Sequence, residues 1–254
     1  MSAIFALVKR DWLNYLRQRS RIIASVITPL LFWLLIGTGL GSSFRSSGSN
    51  NYLDYFFPGI ILLSALFTAI FSTITIIEDR KSGFLQSVLV SPISKSKFLI
   101  SRVLSGASLA IFQTLLLISF APFIGFKLTL IKLAGILLLI FLMAAVFILV
   151  SFLFAWKMES VQGFHSIMNL ILMPLWLLSG SVFPLEGSHK FYTYIIKLNP
   201  LYHGLQAFRD ILVDSSYLSF KSSFLFLVVS CLLLFVLCNL VVNKQRNFKL
   251  TNIK

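Results

Sequence analysis

Residues 133–156, "LAGILLLIFLMAAVFILVSFLFAW", run for 24 positions without a charge. A helix crossing the hydrocarbon core needs roughly 20 such residues, because lipid offers no partner to backbone N–H and C=O groups. Five more stretches read the same way, so six spans are expected at about 22–41, 59–77, 103–125, 133–156, 161–181 and 222–242. A chain of this size has nowhere in water to hide six helices that are apolar all round. The expected fold is therefore an all-α polytopic membrane protein forming one transmembrane domain over 1–254. A barrel is excluded, since barrel strands alternate apolar and polar over ~10 residues and these blocks do not. Composition agrees: 12% of residues are charged, about half the share in a soluble domain. Asn169 and Pro174 fall in the fifth stretch, where neighbouring helices must satisfy the freed backbone.

The net charge is +14. Sorted by the six-span topology, 15 of the 22 Lys and Arg lie on the side of both termini and 7 on the other, while the 8 acids divide evenly. The positive-inside rule places both termini and the 78–102 loop in the cytosol. Anionic membrane lipid is the natural partner of this charge. No basic stripe interleaved with aromatics stands outside the spans, so nucleic acid is not an expected partner. The first 21 residues lack an apolar core ahead of their charges and do not read as a cleavable signal. Ile4, Phe5, Leu7, Val8, Trp12, Tyr15 and Leu16 have helical spacing among bases and Asp11, which predicts an interfacial helix over 1–21. Cys231 and Cys238 sit inside one apolar block as small hydrophobes. His165, His189 and His203 have no ligand spacing, so no metal site is expected.

The segment "EDRKSGFLQSVLVSPISKSK", residues 78–97, is the polar interruption of the first half. Ser82 is a candidate N-cap, Phe84, Leu85, Val88 and Leu89 share one helical face, and Pro92 stops the helix. This predicts about two turns over 82–92, with Ser94 capping the helix that follows. Two turns cannot span a bilayer, so the apolar face needs either the lipid surface or a protein groove. Glu78 stands beside Asp79, Arg80 and Lys81, where local pairing competes with pairing to the N-terminal helix or to another protein. On the opposite side, 182–216 holds apolar runs too short to span. They predict two short helices broken at Asn199-Pro200, lying on or dipping into the outer leaflet. Arg209 and Asp210 there are either an interfacial pair or a gate. Gly37 and Gly41 form a GxxxG that permits close helix approach, within the chain or to a second one.

These motifs resemble the ABC-2 type transporter permeases. Their first cytosolic loop commonly reads Glu-Arg-x-x-Gly, an apolar run, Ser-Pro, then bases, and is matched here by Glu78, Arg80, Gly83, Ser91 and Pro92. "NLILMPLWLLSGSVFPL" is similar to the family's fifth span and its exit. Asn199, Pro200, Leu201 and Arg209 match its Asn-Pro-Leu-x7-Arg signature. The drug-export and nodulation-type branch is most similar. The resemblance implies that 84–91 is a coupling helix docking on a separate ATP-binding cassette ATPase, with Glu78, Arg80, Gly83, Phe84, Leu85, Val88, Leu89, Ser91 and Pro92 as its working residues. It implies two facing permease chains, a homodimer by default, and an outer re-entrant gate containing Asn199, Pro200, Leu201 and Arg209. It also places the chain in a bacterial inner membrane.

The 254 residues contain no GxxxxGK[ST], so no nucleotide-binding loop is expected here; ATP and Mg would sit on the partner, and no cofactor on this chain. The apolar spans, whose polar residues are few (Gln113, Thr114, Gln162, Asn169, Asn239), point to export of a hydrophobic or amphiphilic cargo. Lipid-linked glycan export is the alternative. A different class, an intramembrane hydrolase or protease, would need a nucleophile and base. The best such set is Ser179-Gly180-Ser181 with His165, and it lacks a hydrolase motif. A non-transporting membrane scaffold is the third reading.

Overall fold

The structure, a computed structural model, describes residues 3–44, 52–91, 93–183, 190–213 and 217–251, and among these there is no strand. The helices are α1 (Ala3–Arg17), α2 (Arg19–Phe44), α3 (Tyr52–Ser72), α4 (Ile74–Lys81), α5 (Phe84–Val90), α6 (Lys95–Ile118), α7 (Leu130–Ala155), α8 (Val161–Leu177), α9 (Lys190–Lys197), α10 (Pro200–Val213) and α11 (Tyr217–Thr251). α2, the α3–α4 pair, α6, α7 and α11 are each long and apolar enough to cross a membrane. The protein is an all-α polytopic membrane protein.

Several helix ends differ from the sequence reading for physical reasons. The second span begins at Tyr52 rather than near 59, because Tyr52, Phe56 and Phe57 are buried in the core rather than in a loop. The third begins at Lys95, eight residues early, because the Ser94 hydroxyl accepts the Lys97 N–H at 3.3 Å and starts the helix within the basic segment. The fifth, α8, has 17 residues, about 25 Å at 1.5 Å per residue. Gly180 then turns the chain with φ 82°.

α3, α6 and α7 pack on one another and form the centre. The most apolar stretches of α3, α6 and α7 are 56–72% buried, against 6% for α2 and 17% for α11. The outer pair exposes Ile23, Leu31 and Leu35 on α2 and Leu232, Leu233 and Leu240 on α11. Such surfaces belong against acyl chains or another membrane protein. Where α3, α6 and α7 converge stands Gly106. A Cβ there would overlap the Ser72 hydroxyl and come within 2.7 Å of Ile148 Cδ1. Gly106→Val is expected to cost about 1–3 kcal/mol by overpacking, seen as a lower melting temperature and a smaller monodisperse fraction on size-exclusion chromatography.

Proline costs are met locally. Pro29 inside α2 cannot donate to the Ser25 carbonyl one turn back. That carbonyl instead accepts from Gln113 Nε2 at 2.6 Å and Ser64 Oγ at 3.1 Å. Gln113, an apparently free polar group in the sequence, is thereby committed to holding α2 on α3 and α6. Between α3 and α4 the helix breaks at Thr73. Its N–H bonds the Ile70 carbonyl, and the hydroxyls of Ser72, Thr73 and Thr75 each bond a carbonyl three residues back, at 2.6–2.8 Å. Such back-bonding bends helices.

Candidate functional site

α4, α5 and the start of α6 form an elbow at one end of the bundle. Gly83 has φ 79°, a conformation costly for residues with a Cβ, and it reverses the chain between α4 and α5. Gly83, not Ser82, is the N-cap of α5; the Ser82 hydroxyl turns back to the Asp79 carbonyl at 3.3 Å. Ser91 ends the helix, its N–H bonding the Ser87 carbonyl and its hydroxyl the Val88 carbonyl at 2.6 Å. Pro92 lies outside the described residues.

The face of α5 nominated for docking is turned largely inward. Leu85 and Val88 are buried in the chain's own core, and Phe84 is half-buried. The Arg10 guanidinium lies 3.9 Å from the centre of the Phe84 ring. The outward residues are Gln86, Ser87, Leu89 (40% exposed) and Val90 (88% exposed). Of the four residues sharing the predicted face, only Leu89 is left for a partner. Val90, which the sequence reading passed over, stands beside it.

Beneath α5 lies an ion network that binds three helices. Arg102 on α6 donates from Nη1 to both Asp11 oxygens on α1, at 2.9 and 3.1 Å, and to Thr75 Oγ1 at 3.0 Å. Its Nη2 donates to Asp79 on α4 at 2.5 Å. Arg10 makes a second, two-pronged pair with Asp79. Arg102, Asp11 and Asp79 are buried, while Arg10 is about one-third exposed. The hydrogen bond to Asp79 holds the Arg10 guanidinium above its ordinary pKa, against the opposing effect of partial burial. The expected N-terminal helix therefore leans on protein. Its buried stripe is Leu7, Asp11 and Tyr15, and Trp12 reaches α6, donating to Ser108 Oγ at 2.8 Å and meeting Phe112 edge-on. Phe5, Leu13 and Leu16 stay exposed.

Pairing with the N-terminal helix was weighed for Glu78, and the residue that makes it is the next one, Asp79. Glu78 is exposed and makes no ion pair among the described residues, though its charge acts on Arg10. Arg80 turns to the end of α7, donating to the carbonyls of Met158 at 2.8 Å, Ala155 at 3.3 Å and Trp156. A cation there satisfies the last carbonyls and opposes the negative end of the helix dipole.

At the far end of the bundle α10 lies on the first half of α7, with Gly204 against Met143 and Ile211 against Gly135. Asn199 joins α9 to α10: its Nδ2 donates to the Leu175 carbonyl at 2.6 Å and its Oδ1 accepts the Leu201 N–H at 2.9 Å. Pro200 opens α10, where its missing N–H costs nothing, and Leu201 is fully buried. Arg209 turns onto the chain's own backbone. It donates to the carbonyls of Gly180 at 3.0 Å and Tyr55 at 3.2 Å and stacks on the Tyr55 ring at 4.0 Å. The Tyr55 and Tyr52 hydroxyls donate to the Gly180 and Val182 carbonyls at 2.6 and 2.9 Å. This lock satisfies the non-helical backbone after α8, the condition for irregular chain near lipid. Arg209→Lys is expected to cost about 1–3 kcal/mol, read as a lower melting temperature. Adding Tyr55→Phe should cost less than the sum, since both residues serve the Gly180 carbonyl.

The sequence of residues 2–213 matches the family model described as "ABC-2 type transporter". The chain belongs to the ABC-2 type transporter family. The permease is 29% identical over 229 residues to a protein of Cyanophora paradoxa named as the transport permease ycf38, covering 87% of this chain and 78% of that one. It is 25% identical over 217 residues to nodulation protein J of Azorhizobium caulinodans, covering 82% and 83%. It is 20% identical over 256 residues to the inner membrane transport permease YadH of Escherichia coli, covering 98% and 99%. Within this ABC-2 permease the hydrolase constellation does not assemble. Ser179 and Ser181 hydrogen-bond each other at 2.6 Å. His165 lies 14 residues back toward the start of α8, about 20 Å along a helix, against Phe71. Gly37 of the GxxxG serves an internal contact, because a Cβ there would overlap the Leu53 side chain; the surroundings of Gly41 lie outside the described residues. Sequence reasoning missed Asp11, Asp79 and Arg102 as a group. The available signal was Arg102 itself, a cation two turns into α6.

Proposed function

We propose that this ABC-2 permease is the transmembrane subunit of an exporter whose energy comes from a separate ATP-binding cassette ATPase, and that α5 is the element it grips. The observation that carries the reading is the exposed Leu89–Val90 tip of a helix otherwise rooted in the core, in an ABC-2 family chain without a phosphate-binding loop. A helix anchored by Leu85 and Val88 and tied through Phe84 to Arg10 moves with α1, α4 and α6 instead of bending alone. ATP and Mg belong to the partner.

The cargo is hydrophobic or amphiphilic, because polar groups on the spans are largely committed internally: Gln113 to Ser25, and Asn239 to Ser96 at 2.9 Å. Thr114 Oγ1 is buried without a partner among the described residues, and the exposed exception is a ridge on α8. Gln162, Ser166 and Asn169 are exposed, and the Asn169 side chain has no partner within the described residues. An amide facing acyl chains is costly, so this ridge faces a second permease chain or the path between two copies. The excess of Lys and Arg on one side supports a cytosolic position for both termini and α5, and a bacterial inner membrane is the proposed location. The test is reconstitution of the purified permease in lipid nanodiscs with a candidate ATP-binding cassette ATPase from the same genome. Complex formation and hydrolysis stimulated by hydrophobic cargo are expected; a permease that neither binds nor stimulates the ATPase would overturn the reading.

A further inference from the structure

A cleft of about 620 Å³ opens between the second half of α1, the α3–α4 break, α6 and the first turn of α8. Three span ends meet there: Arg17 stands just before α2, Glu78 near the end of α4, and Val161 opens α8. The cleft therefore straddles the level where headgroups give way to acyl chains. Its composition changes with depth. The inner walls are Phe71, Ile74 and Leu109, apolar and mostly buried. Among its polar groups Tyr15, Gln18, Ser72 and His165 are engaged elsewhere, and the others divide into two sets. Asp11 and Thr75 are consumed by Arg102. Asn14, Arg17 and Glu78 line the cleft with no hydrogen bond or ion pair within the described residues. What is unspent is thus one cation, one anion and one amide, beside an apolar recess.

We propose that this cleft binds a zwitterionic amphiphile from the leaflet on the α5 side, its anionic group on Arg17 and Asn14, its cationic group on Glu78, and its first methylenes against Phe71, Ile74 and Leu109. A purely anionic head meets the Glu78 carboxylate and a purely cationic one meets Arg17, so either is disfavoured by like charge. The recess ends at the Ser72–Thr75 bend and the Asp11–Arg102 pair, so an occupant touches the joint between α3 and α4 and the helix carrying Arg10. That the occupant is cargo rests on the export reading; that the cleft binds it does not.

The experiment uses the full-length permease alone in phosphatidylcholine nanodiscs. The probe is a trace phosphoethanolamine-headed lipid carrying a diazirine on its first acyl methylenes, with cross-links mapped by peptide mass spectrometry. Cross-links are expected on 71–75 and 161–165, displaced by unlabelled phosphoethanolamine lipid. Phosphatidylglycerol and an alkyl trimethylammonium should each compete about tenfold less well, the worth of one charge-assisted contact. Arg17→Gln and Glu78→Gln, both at exposed positions, should each weaken labelling by a similar factor with unchanged melting temperature. Val161→Trp, which fills the rim without altering charge, should also reduce it. Labelling spread over α2 and α11, or on 71–75 but indifferent to these variants and competitors, overturns the proposal as ordinary lipid contact. Because no ATPase is present, that failure is distinct from a failure to bind or stimulate the ATPase.

Discussion

Arg102→Met lowers the melting temperature of the purified permease by on the order of 10 °C, as expected for a loss of about 3–5 kcal/mol in a chain of this length. The reason is the orphaned partner more than the lost attraction. Asp79 keeps Arg10, but Asp11, buried on α1, loses both of its hydrogen bonds from Arg102. An uncompensated carboxylate in a low-dielectric site is the expensive state. Two controls follow from the same geometry. Arg10→Met should cost less than Arg102→Met, because Arg10 is about one-third exposed and the buried Asp79 keeps its pair with Arg102. Asp11→Leu combined with Arg102→Met should recover most of the loss, since removing both charges leaves nothing stranded. Loss in the double variant equal to the sum of the singles would contradict the network. If the network exists to hold α1, α4 and α6 in one register, the double variant will be stable yet poorly stimulate the ATPase.

Leu89→Asp and Val90→Asp leave the melting temperature unchanged and weaken ATPase binding roughly 30-fold each, the worth of an interface hot spot of about 2 kcal/mol. Leu85→Asp and Val88→Asp act differently. They place a charge in the core under α5, so the permease itself is lost before any partner is involved. Co-purification with the ATPase and thermal melting of the permease alone separate the two outcomes. Normal ATPase binding by both tip variants would sink the assignment of α5 as the gripped element. Phe84→Leu is the intermediate case. It keeps the apolar bulk and removes the ring under Arg10, and should reduce stimulation of hydrolysis more than binding.

The sequence by itself determined the solvent and the class of fold. Unbroken apolar runs of about 20 residues can satisfy their backbone only as membrane helices, and that reasoning needs no tertiary contact. Local chemistry near the elbow was partly legible: Ser94 reads as a cap and is one, whereas α5 is capped by Gly83 rather than by Ser82. The family's motifs stood in order along the chain. What the sequence did not carry was direction. In a helix of 7 residues every stripe is equally short, so periodicity could not tell whether Phe84, Leu85 and Val88 or Leu89 and Val90 face outward. That was decided by what α4 and α1 place beneath α5. Charges behave likewise. Read singly, Arg80, Arg102 and Arg209 count as basic loop or gate residues. Folded, they close the end of α7, bridge α1 to α4, and hold the turn after α8. A guanidinium finds its acceptors wherever packing leaves carbonyls and carboxylates without water, and those acceptors lie 23 to 154 residues away in the chain. Tertiary structure alone brings such groups together, because the cost of burying them unpaired is felt only once the helices have excluded solvent.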